Sequence, residues 1–173
     1  KKGVTPSQHK RAFYAAWTYL YQNIIEPTPE NSYPYYQVTL GMASMWSEGH
    51  REAPNSCAWE SLYNIQEIAM VEPDIAWSAA EGFINSIDDT GYLEGECLPS
   101  QKAHTVWVCY QNKKNKEKLK KLYPKIKLYL QWRYENPRWI YHSHYFEDEK
   151  DISFVTQWYS DVEYAIKICK EIG

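Results

Sequence analysis

The chain has 173 residues, 44% hydrophobic and 24% charged, which is enough for one well-buried domain, taken here as 1–173. Its net charge of −3 argues against a nucleic-acid-binding protein, which needs a basic surface, and no run of 18 apolar residues is present to span a membrane. Aromatic residues are abundant, with 8 Trp and 16 Tyr against 4 Phe. Such rings suit the walls of partly hydrated clefts as well as a core of large side chains.

The first predicted helix begins at a capping box, Thr5-Pro6-Ser7-Gln8, with proline at the first helical position. Apolar residues then recur at helical spacing and predict one buried stripe: Phe13, Trp17, Leu20 and Ile24. Pro27 ends this helix. Residues 27–56 are predicted to form a long loop rich in aromatic and polar side chains, including the run Tyr33-Pro34-Tyr35-Tyr36-Gln37-Val38. Loops of this length are usually functional or disordered.

Five more helices are predicted from apolar spacing and from start and stop signals. They run from about Ser56 to Met70, from Asp74 to Ile87, from a Ser100 cap to Asn112, from an Asn115 cap to Asn136, and from Asp151 to the end. Because period-two alternation is absent outside short loop pieces, the predicted class is all-α. Short links within pairs and longer links between them predict three consecutive helical hairpins. No fixed period typical of helical-repeat scaffolds is present.

The last predicted helix carries two apolar rows. The first consists of Ile152, Val155, Tyr159, Val162, Ile166 and Cys169, and the second of Phe154, Trp158, Asp161 and Ala165. Two rows predict contacts on two sides of the helix. Because Trp158 and Ala165 lie one turn either side of Asp161, burial is expected to raise the pKa of its carboxyl, as a general acid in glycoside hydrolysis requires. The alternative is an Asp161 that is exposed, or paired with Lys or Arg across a helix interface.

Metal and cofactor chemistry finds no support in the residue spacing. Four cysteines, at 57, 97, 109 and 169, are irregularly spaced and contain no C-x-x-C pair, so all four are predicted to be reduced, as in a cytoplasmic protein. His142-Ser143-His144 lies before an acidic stretch but has no zinc-ligand spacing, which favours a polar loop. The eight lysines between Lys113 and Lys127 are predicted to be a solvated helix face. We therefore expect no cofactor and no metal.

Residues 57–99 carry the most specific pattern in the chain. Trp59-Glu60-Ser61 opens one helix, Glu72-Pro73-Asp74 opens the next, and an acidic turn closing on Gly91 leads into Tyr92-Leu93-Glu94-Gly95. This order resembles the helical-hairpin unit of six-hairpin glycoside hydrolases, the α/α toroids of the processing α-glucosidase, trehalase and mannosylglycerate hydrolase group. The resemblance extends over roughly residues 33–165. It implies a partial toroid of about three hairpins and a carbohydrate substrate.

The resemblance also implies sugar-binding residues. Trp59-Glu60-Ser61 is similar to the family's Trp-Asp-Ser, whose carboxylate binds sugar hydroxyls, although Glu60 replaces the aspartate here. Trp139, in a loop similar to a family loop that enters the sugar cleft, is the predicted stacking platform, and Trp158 is a further predicted wall. Both Trp59 and Trp139 have alternatives, a core aromatic and an exposed loop aromatic. The loop before the second helix is a further part of the predicted wall, through Trp46, Glu48, His50 and Arg51.

Asp161 is the general acid that the resemblance implies. It ends the run Gln157-Trp158-Tyr159-Ser160-Asp161, but the proline that commonly follows the aspartate in the relatives is absent, so Glu163 or Asp151 is the counterpart if the register differs. The inverting mechanism also needs a base, which is expected beyond residue 173. Half a toroid would leave apolar helix faces uncovered, which predicts self-association or a remaining part of the chain. The expected function is a glycoside hydrolase or a segment of one; the alternative is a non-catalytic helical module that binds carbohydrate or protein.

Overall fold

A computed structural model of the chain describes residues 5–27, 33–39, 57–94, 99–137 and 152–173, together with residues 3 and 96. Helices make up 71% of these residues, which confirms the predicted all-α class. They are α1 (Pro6–Gln22), α2 (Ala58–Ile68), α3 (Pro73–Asn85), α4 (Lys102–Asn112), α5 (Lys116–Glu135) and α6 (Ile152–Ile172). Among the described residues, no helix is both long and apolar enough to cross a membrane.

Helix α1 begins where the sequence predicts. Thr5 accepts a hydrogen bond from the backbone N–H of Gln8, and the Gln8 side chain bonds back to the Thr5 N–H, which completes the capping box. The predicted buried stripe is wrong, because α1 contributes no buried side chain and Phe13 is 59% exposed. Ile24, the last residue of that stripe, lies beyond the helix. A helical period shows which face is apolar, but burial needs a second element packed against that face.

A short antiparallel strand pair follows α1 and was not predicted. Strand β1 (Ile24–Ile25) pairs with β2 (Gln37–Val38), with Ile24 opposite Val38. The pairing continues into a hydrogen bond from the Thr39 N–H to the Asn23 carbonyl at 2.8 Å. Two-residue strands are too short to show a period-two pattern. Val38 is fully buried, so the pair attaches residues from the predicted loop to the core.

The hydrophobic core lies among the five helices from α2 to α6. Helix α3 packs against α2, α4 and α5, and α6 packs against α4 and α5. The largest buried apolar side chains come from four of these helices and the turn after α3: Leu62, Ile65, Ile68, Ile84, Ile87, Leu119, Leu122, Ile126 and Ile168. Burying such a side chain stabilises the fold by about 1.5–3 kcal/mol.

Short links join α2 to α3 across 69–72 and α4 to α5 across 113–115, so the described residues contain two helix pairs with short links, and the predicted arrangement of three hairpins is not confirmed. Helices α1 and α6 lie outside them, since 35 residues (23–57) separate α1 from α2 and 16 (136–151) separate α5 from α6. Asn115 caps α5 as predicted, its side chain accepting the Lys118 N–H at 3.0 Å. The predicted Ser100 cap is wrong: α4 begins at Lys102 without a local side-chain cap.

Helix α6 has one buried row and one exposed row. Phe154, Asp161 and Ala165 are buried, and they belong to the second of the two predicted rows. The first row is largely exposed in the described structure, at 76% for Ile152, 45% for Val155, 59% for Tyr159 and 48% for Ile166. Cys169, which belongs to the same row, is also exposed, whereas Cys109 of α4 is buried. Helix α6 therefore contacts its neighbours through one face among the described residues.

The lysines around the start of α5 are not simply a solvated face. Lys118 and Lys121 both bind Glu81 of α3, at 2.9 and 2.7 Å, and Glu81 is only 8% exposed. These ion pairs lower the pKa of the Glu81 carboxyl against the opposing effect of burial. Lys125 donates to the carbonyls of Asn85 and Ile87 at the end of α3. The basic run thus attaches α5 to α3.

Candidate functional site

A cavity of about 430 Å³ lies between the β2 segment, the start of α2, the end of α3 and the turn after it. Small-molecule sites commonly have volumes of roughly 300–1,000 Å³. Its walls combine aromatic rings with hydroxyl, amide and carboxylate groups. The lining residues are Tyr33, Tyr36, Gln37, Cys57, Ala58, Phe83, Ser86, Leu93, Glu94 and Glu96. We refer to it as the Tyr33–Glu96 cavity.

Glycine at position 82 lets the aromatic wall approach α3. A Cβ atom there would lie 2.1 Å from the Tyr33 hydroxyl oxygen and 3.0 Å from the Tyr35 Cβ, closer than atoms can pack. The Tyr35 hydroxyl in turn accepts a hydrogen bond from Asn85 Nδ2 at 2.7 Å. The Tyr36 N–H donates to Ser78 Oγ at 3.1 Å. These contacts hold the segment before β2 against α3, so the wall is part of the packed fold.

The turn after α3 forms the opposite wall. Asp88 Oδ1 accepts the N–H groups of Thr90 and Tyr92, at 2.8 and 3.0 Å, which folds the acidic turn back on itself. Gly91 has a φ of 94°, in the region that favours glycine, and it lies against the backbone of α5. A bridge between Ile87 and Leu93 then sets the direction of the chain toward Glu96.

Glu96 joins this cavity to a buried polar cluster, defined by Glu96, Ser100, Lys102, Tyr129, Arg133 and Asp161. Glu96 is 5% exposed. Its Oε1 atom accepts hydrogen bonds from Lys102 Nζ at 2.7 Å, from the Tyr129 hydroxyl at 3.1 Å, and from the Ser100 hydroxyl. Three donors on one oxygen hold the carboxylate in a single orientation.

Lys102 is fully buried behind Glu96. Its ammonium also donates to Ser100 Oγ at 2.7 Å and lies 3.4 Å from the centre of the Tyr129 ring, a cation–π distance. Burial lowers the pKa of Lys102, while the neighbouring Glu96 carboxylate opposes that effect. Burial raises the pKa of Tyr129 well above 10, so its hydroxyl keeps the proton that it donates to Glu96. An ion pair this deeply buried depends on such additional hydrogen bonds, because they offset part of the cost of removing both charges from water.

Asp161 lies on the far side of the same cluster and is 2% exposed. Its Oδ1 accepts the backbone N–H of His104 at 2.8 Å, so a side chain of α6 caps the N-terminus of α4 where Ser100 does not. Burial raises the pKa of the Asp161 carboxyl to about 6, and the backbone amides at the start of α4 offset this only in part. The predicted direction of this pKa shift is confirmed. The alternative of an exposed Asp161 is wrong.

The space beside Asp161 is small. The cavity that it lines with Trp158, Gln157 and Arg133 has a volume of about 10 Å³. That is close to the least volume that holds one water molecule, far below the size of a sugar ring. Trp59 and Glu60 are half-buried at the start of α2 and line neither this space nor the Tyr33–Glu96 cavity, although Cys57 and Ala58 beside them line the latter. Asp161 and Trp158 therefore line one small space together, and Trp59 and Glu60 do not line it.

The other residues predicted for the site are Trp158, Glu163, Trp139, Asp151 and the residues of the loop before α2. The Trp158 indole N–H donates to the Leu130 carbonyl at 3.0 Å, and its ring lies 5.6 Å from that of Tyr134, so Trp158 packs α6 against α5. Glu163 is exposed. Three sets of predicted residues lie outside the described residues: Trp139, Asp151, and the loop residues Trp46, Glu48, His50 and Arg51.

Sequence reasoning missed Glu96 and Lys102, and it assigned no role to Tyr33 or Tyr36. Two signals were present: an aromatic run before β2, and an acidic residue next to the Tyr92–Gly95 motif. Neither reveals that the two segments line the same cavity.

Within the described residues, no cluster of three His, Cys, Asp or Glu side chains is arranged to hold a metal ion. No protein-family model matches the chain, and no curated protein matches it.

Proposed function

We propose that this chain is a carbohydrate-binding helical unit of the α/α-toroid type and that it holds a sugar in the Tyr33–Glu96 cavity. The observation that carries the proposal is the wall composition of that cavity: three aromatic rings together with a carboxylate held rigidly by Lys102, Tyr129 and Ser100. Aromatic faces pack on the C–H groups of a sugar ring, and fixed carboxylate oxygens accept its hydroxyl groups. The resemblance of residues 57–99 to toroidal glycoside hydrolases agrees with the same ligand class.

Binding to the cavity is tested by isothermal titration calorimetry with methyl glucoside, methyl mannoside and methyl galactoside. Tyr36→Ala removes one aromatic wall and is expected to weaken binding by about tenfold or more, a loss of about 1.4 kcal/mol. Tyr134→Ala, which removes an exposed tyrosine from α5, is the matched control and should leave the affinity unchanged. Ala58→Phe fills the cavity and leaves its aromatic wall in place, so it should abolish binding. Equal affinities in wild type and Ala58→Phe would contradict the proposal.

Hydrolysis is the second candidate function, favoured by one observation. A carboxyl with a pKa of about 6, next to Trp158, has the protonation behaviour of a general acid. Since the neighbouring space of about 10 Å³ admits no sugar, catalysis at Asp161 requires the cluster to open or a further surface to complete the site. Asp161→Asn is expected to abolish release of nitrophenol from nitrophenyl glycosides by the longest natural form of the protein. The matched control, Glu163→Gln, changes an exposed carboxylate on the same helix and separates the two assignments. Full activity of Asp161→Asn would remove Asp161 as the acid.

The toroid proposal also concerns the exposed row of α6. An inner helix of a toroid is covered on two sides, so Ile152, Tyr159 and Ile166 are expected to contact a second copy of the chain or further helical hairpins. Sedimentation of the purified chain as a dimer that Tyr159→Glu dissociates would support the first arrangement. A monomer that stays soluble at high concentration would argue against self-association.

A further inference from the structure

The two carboxylate oxygens of Glu96 differ in their contacts with the described residues. The three hydrogen bonds that the described residues donate to its carboxylate all reach Oε1. The residue is about 95% buried and lines the Tyr33–Glu96 cavity. Because the donors among the described residues all reach Oε1, Oε2 is the oxygen to which a ligand in the cavity would donate a hydrogen bond.

The charge of the cavity limits what can donate that bond. Its described lining residues include two carboxylates, Glu94 and Glu96, and no lysine, arginine or histidine. Lys102 is the cation bound to Glu96, but it is fully buried on the Oε1 side, where it donates to Glu96 and Ser100. An anionic ligand would meet carboxylates and acceptor oxygens in a site of low dielectric, with no accessible cation among these residues to balance its charge.

We propose that the cavity selects neutral sugars over anionic ones, with Glu96 Oε2 accepting a sugar hydroxyl and Lys102 acting as the positioning residue that holds Glu96 in place. The inference rests on the proposed carbohydrate function and adds the substrate class and the residue that discriminates. Sugar phosphates and uronic acids are the ligands that the cavity excludes.

The test compares one sugar scaffold with and without a negative charge. Methyl glucoside, glucuronate and glucose 6-phosphate are titrated calorimetrically into the wild-type chain at pH 7.5 and constant ionic strength. We expect the neutral probe to bind at least tenfold more tightly than either anion, because a mispaired buried charge is strongly disfavoured. This comparison needs no variant, so it holds whether or not substitutions at Glu96 fold.

Variants then assign the selection to Glu96. In Glu96→Gln the amide oxygen can still accept the hydrogen bond from Lys102. In that orientation the amide nitrogen, which is a donor, faces the cavity. The neutral probe should lose at least about tenfold in affinity, and the preference over glucuronate should shrink by a similar factor. Glu67→Gln removes the same charge from an exposed carboxylate of α2 outside the cavity and should change the neutral-probe affinity less than about threefold, since exposed charges are screened. Lys102→Met should reproduce the Glu96→Gln loss, because it frees the carboxylate from its fixed orientation.

The outcomes separate the two proposals. If no probe binds wild type, the carbohydrate function is wrong and the selection falls with it. If neutral and anionic probes bind wild type equally, carbohydrate binding stands and charge selection is wrong. If the preference is present but Glu96→Gln leaves it unchanged, Glu96 is not the discriminating residue.

Discussion

Replacing Asp161 with asparagine should remove a specific pH dependence from the stability of the protein. The Asp161 carboxyl has an ordinary pKa of 3.8 in the unfolded chain and a pKa of about 6 in the folded protein, raised by burial. At about 1.4 kcal/mol per pH unit, this difference corresponds to about 3 kcal/mol. Because the folded state binds the proton more tightly, this stability is fully present below pH 3.8 and is lost as the pH rises through about 6. Asparagine does not titrate, so the dependence disappears.

The measurement is urea unfolding of wild type and Asp161→Asn at half-unit steps from pH 4 to pH 7.5. Other carboxylates titrate in both proteins, so the difference between their free energies of unfolding isolates Asp161. Relative to the variant, wild type should lose about 2 kcal/mol of stability over this range, since part of the limiting value is already lost at pH 4, and most of the loss should fall between pH 4.5 and 6.5. Glu163→Gln serves as the control, and its exposed position predicts a difference from wild type within about 0.5 kcal/mol at every pH.

A constant difference between wild type and Asp161→Asn across the range would refute the reasoning, since it would mean that the carboxyl titrates alike in the folded and unfolded chains. A difference of opposite slope would mean that the amides of α4 and the charge of Lys102 outweigh burial. Asp161 would then be a helix cap that stays ionised in the folded protein, and its pKa would no longer favour the general-acid proposal.

Three further predictions concern stability and the packing of the cavity wall. Gly91→Ala should lower the free energy of unfolding by about 2–4 kcal/mol, because Gly91 has a φ of 94° and a Cβ there would lie 2.5 Å from the Leu128 carbonyl oxygen. A loss below about 1 kcal/mol in urea unfolding would contradict this prediction. Gly82→Ala should cost about 1–3 kcal/mol by the same measurement and also weaken methyl glucoside binding, since it displaces Tyr33; unchanged affinity would separate Tyr33 from the site. Asn115→Ala should lower the free energy of unfolding by about 1 kcal/mol, because the N-cap of α5 is lost. Thr5→Ala should leave the urea midpoint of global unfolding unchanged and speed amide exchange in α1, because α1 has no buried residue. Equal losses of stability in the two variants would show that α1 unfolds with the core.

The helices themselves could be read from the sequence because their signals are local. The capping box at Thr5 and the cap at Asn115 were both predicted and confirmed, and five of the six helix starts lie within two residues of the expected position; the sixth, predicted at Asp151, borders residues outside the described set. Each signal depends on residues within one or two helical turns. The burial of Asp161 was predicted in the same way, from Trp158 and Ala165 on the same face of α6.

The candidate site could not be read in this way, because its parts are distant in sequence. Tyr33 and Glu96 are 63 residues apart and meet only because the segment before β2 packs on α3 and the Gly91 turn directs the chain back. The carboxylate that caps α4, that of Asp161, likewise comes from a different helix and lies 57 residues from the His104 N–H that it accepts. No spacing rule covers such contacts.

By itself the sequence determined the all-α class and the places where most helices begin, since both follow from residues close together along the chain; it made a raised pKa of Asp161 one of two possibilities, which the burial of α6 against α4 and α5 decided. Only the tertiary structure decided which apolar face of α6 is buried, why the stripe of α1 stays exposed and where the ligand cavity lies. The physical reason is that amphipathicity belongs to a single helix, whereas burial belongs to the pair of surfaces that meet.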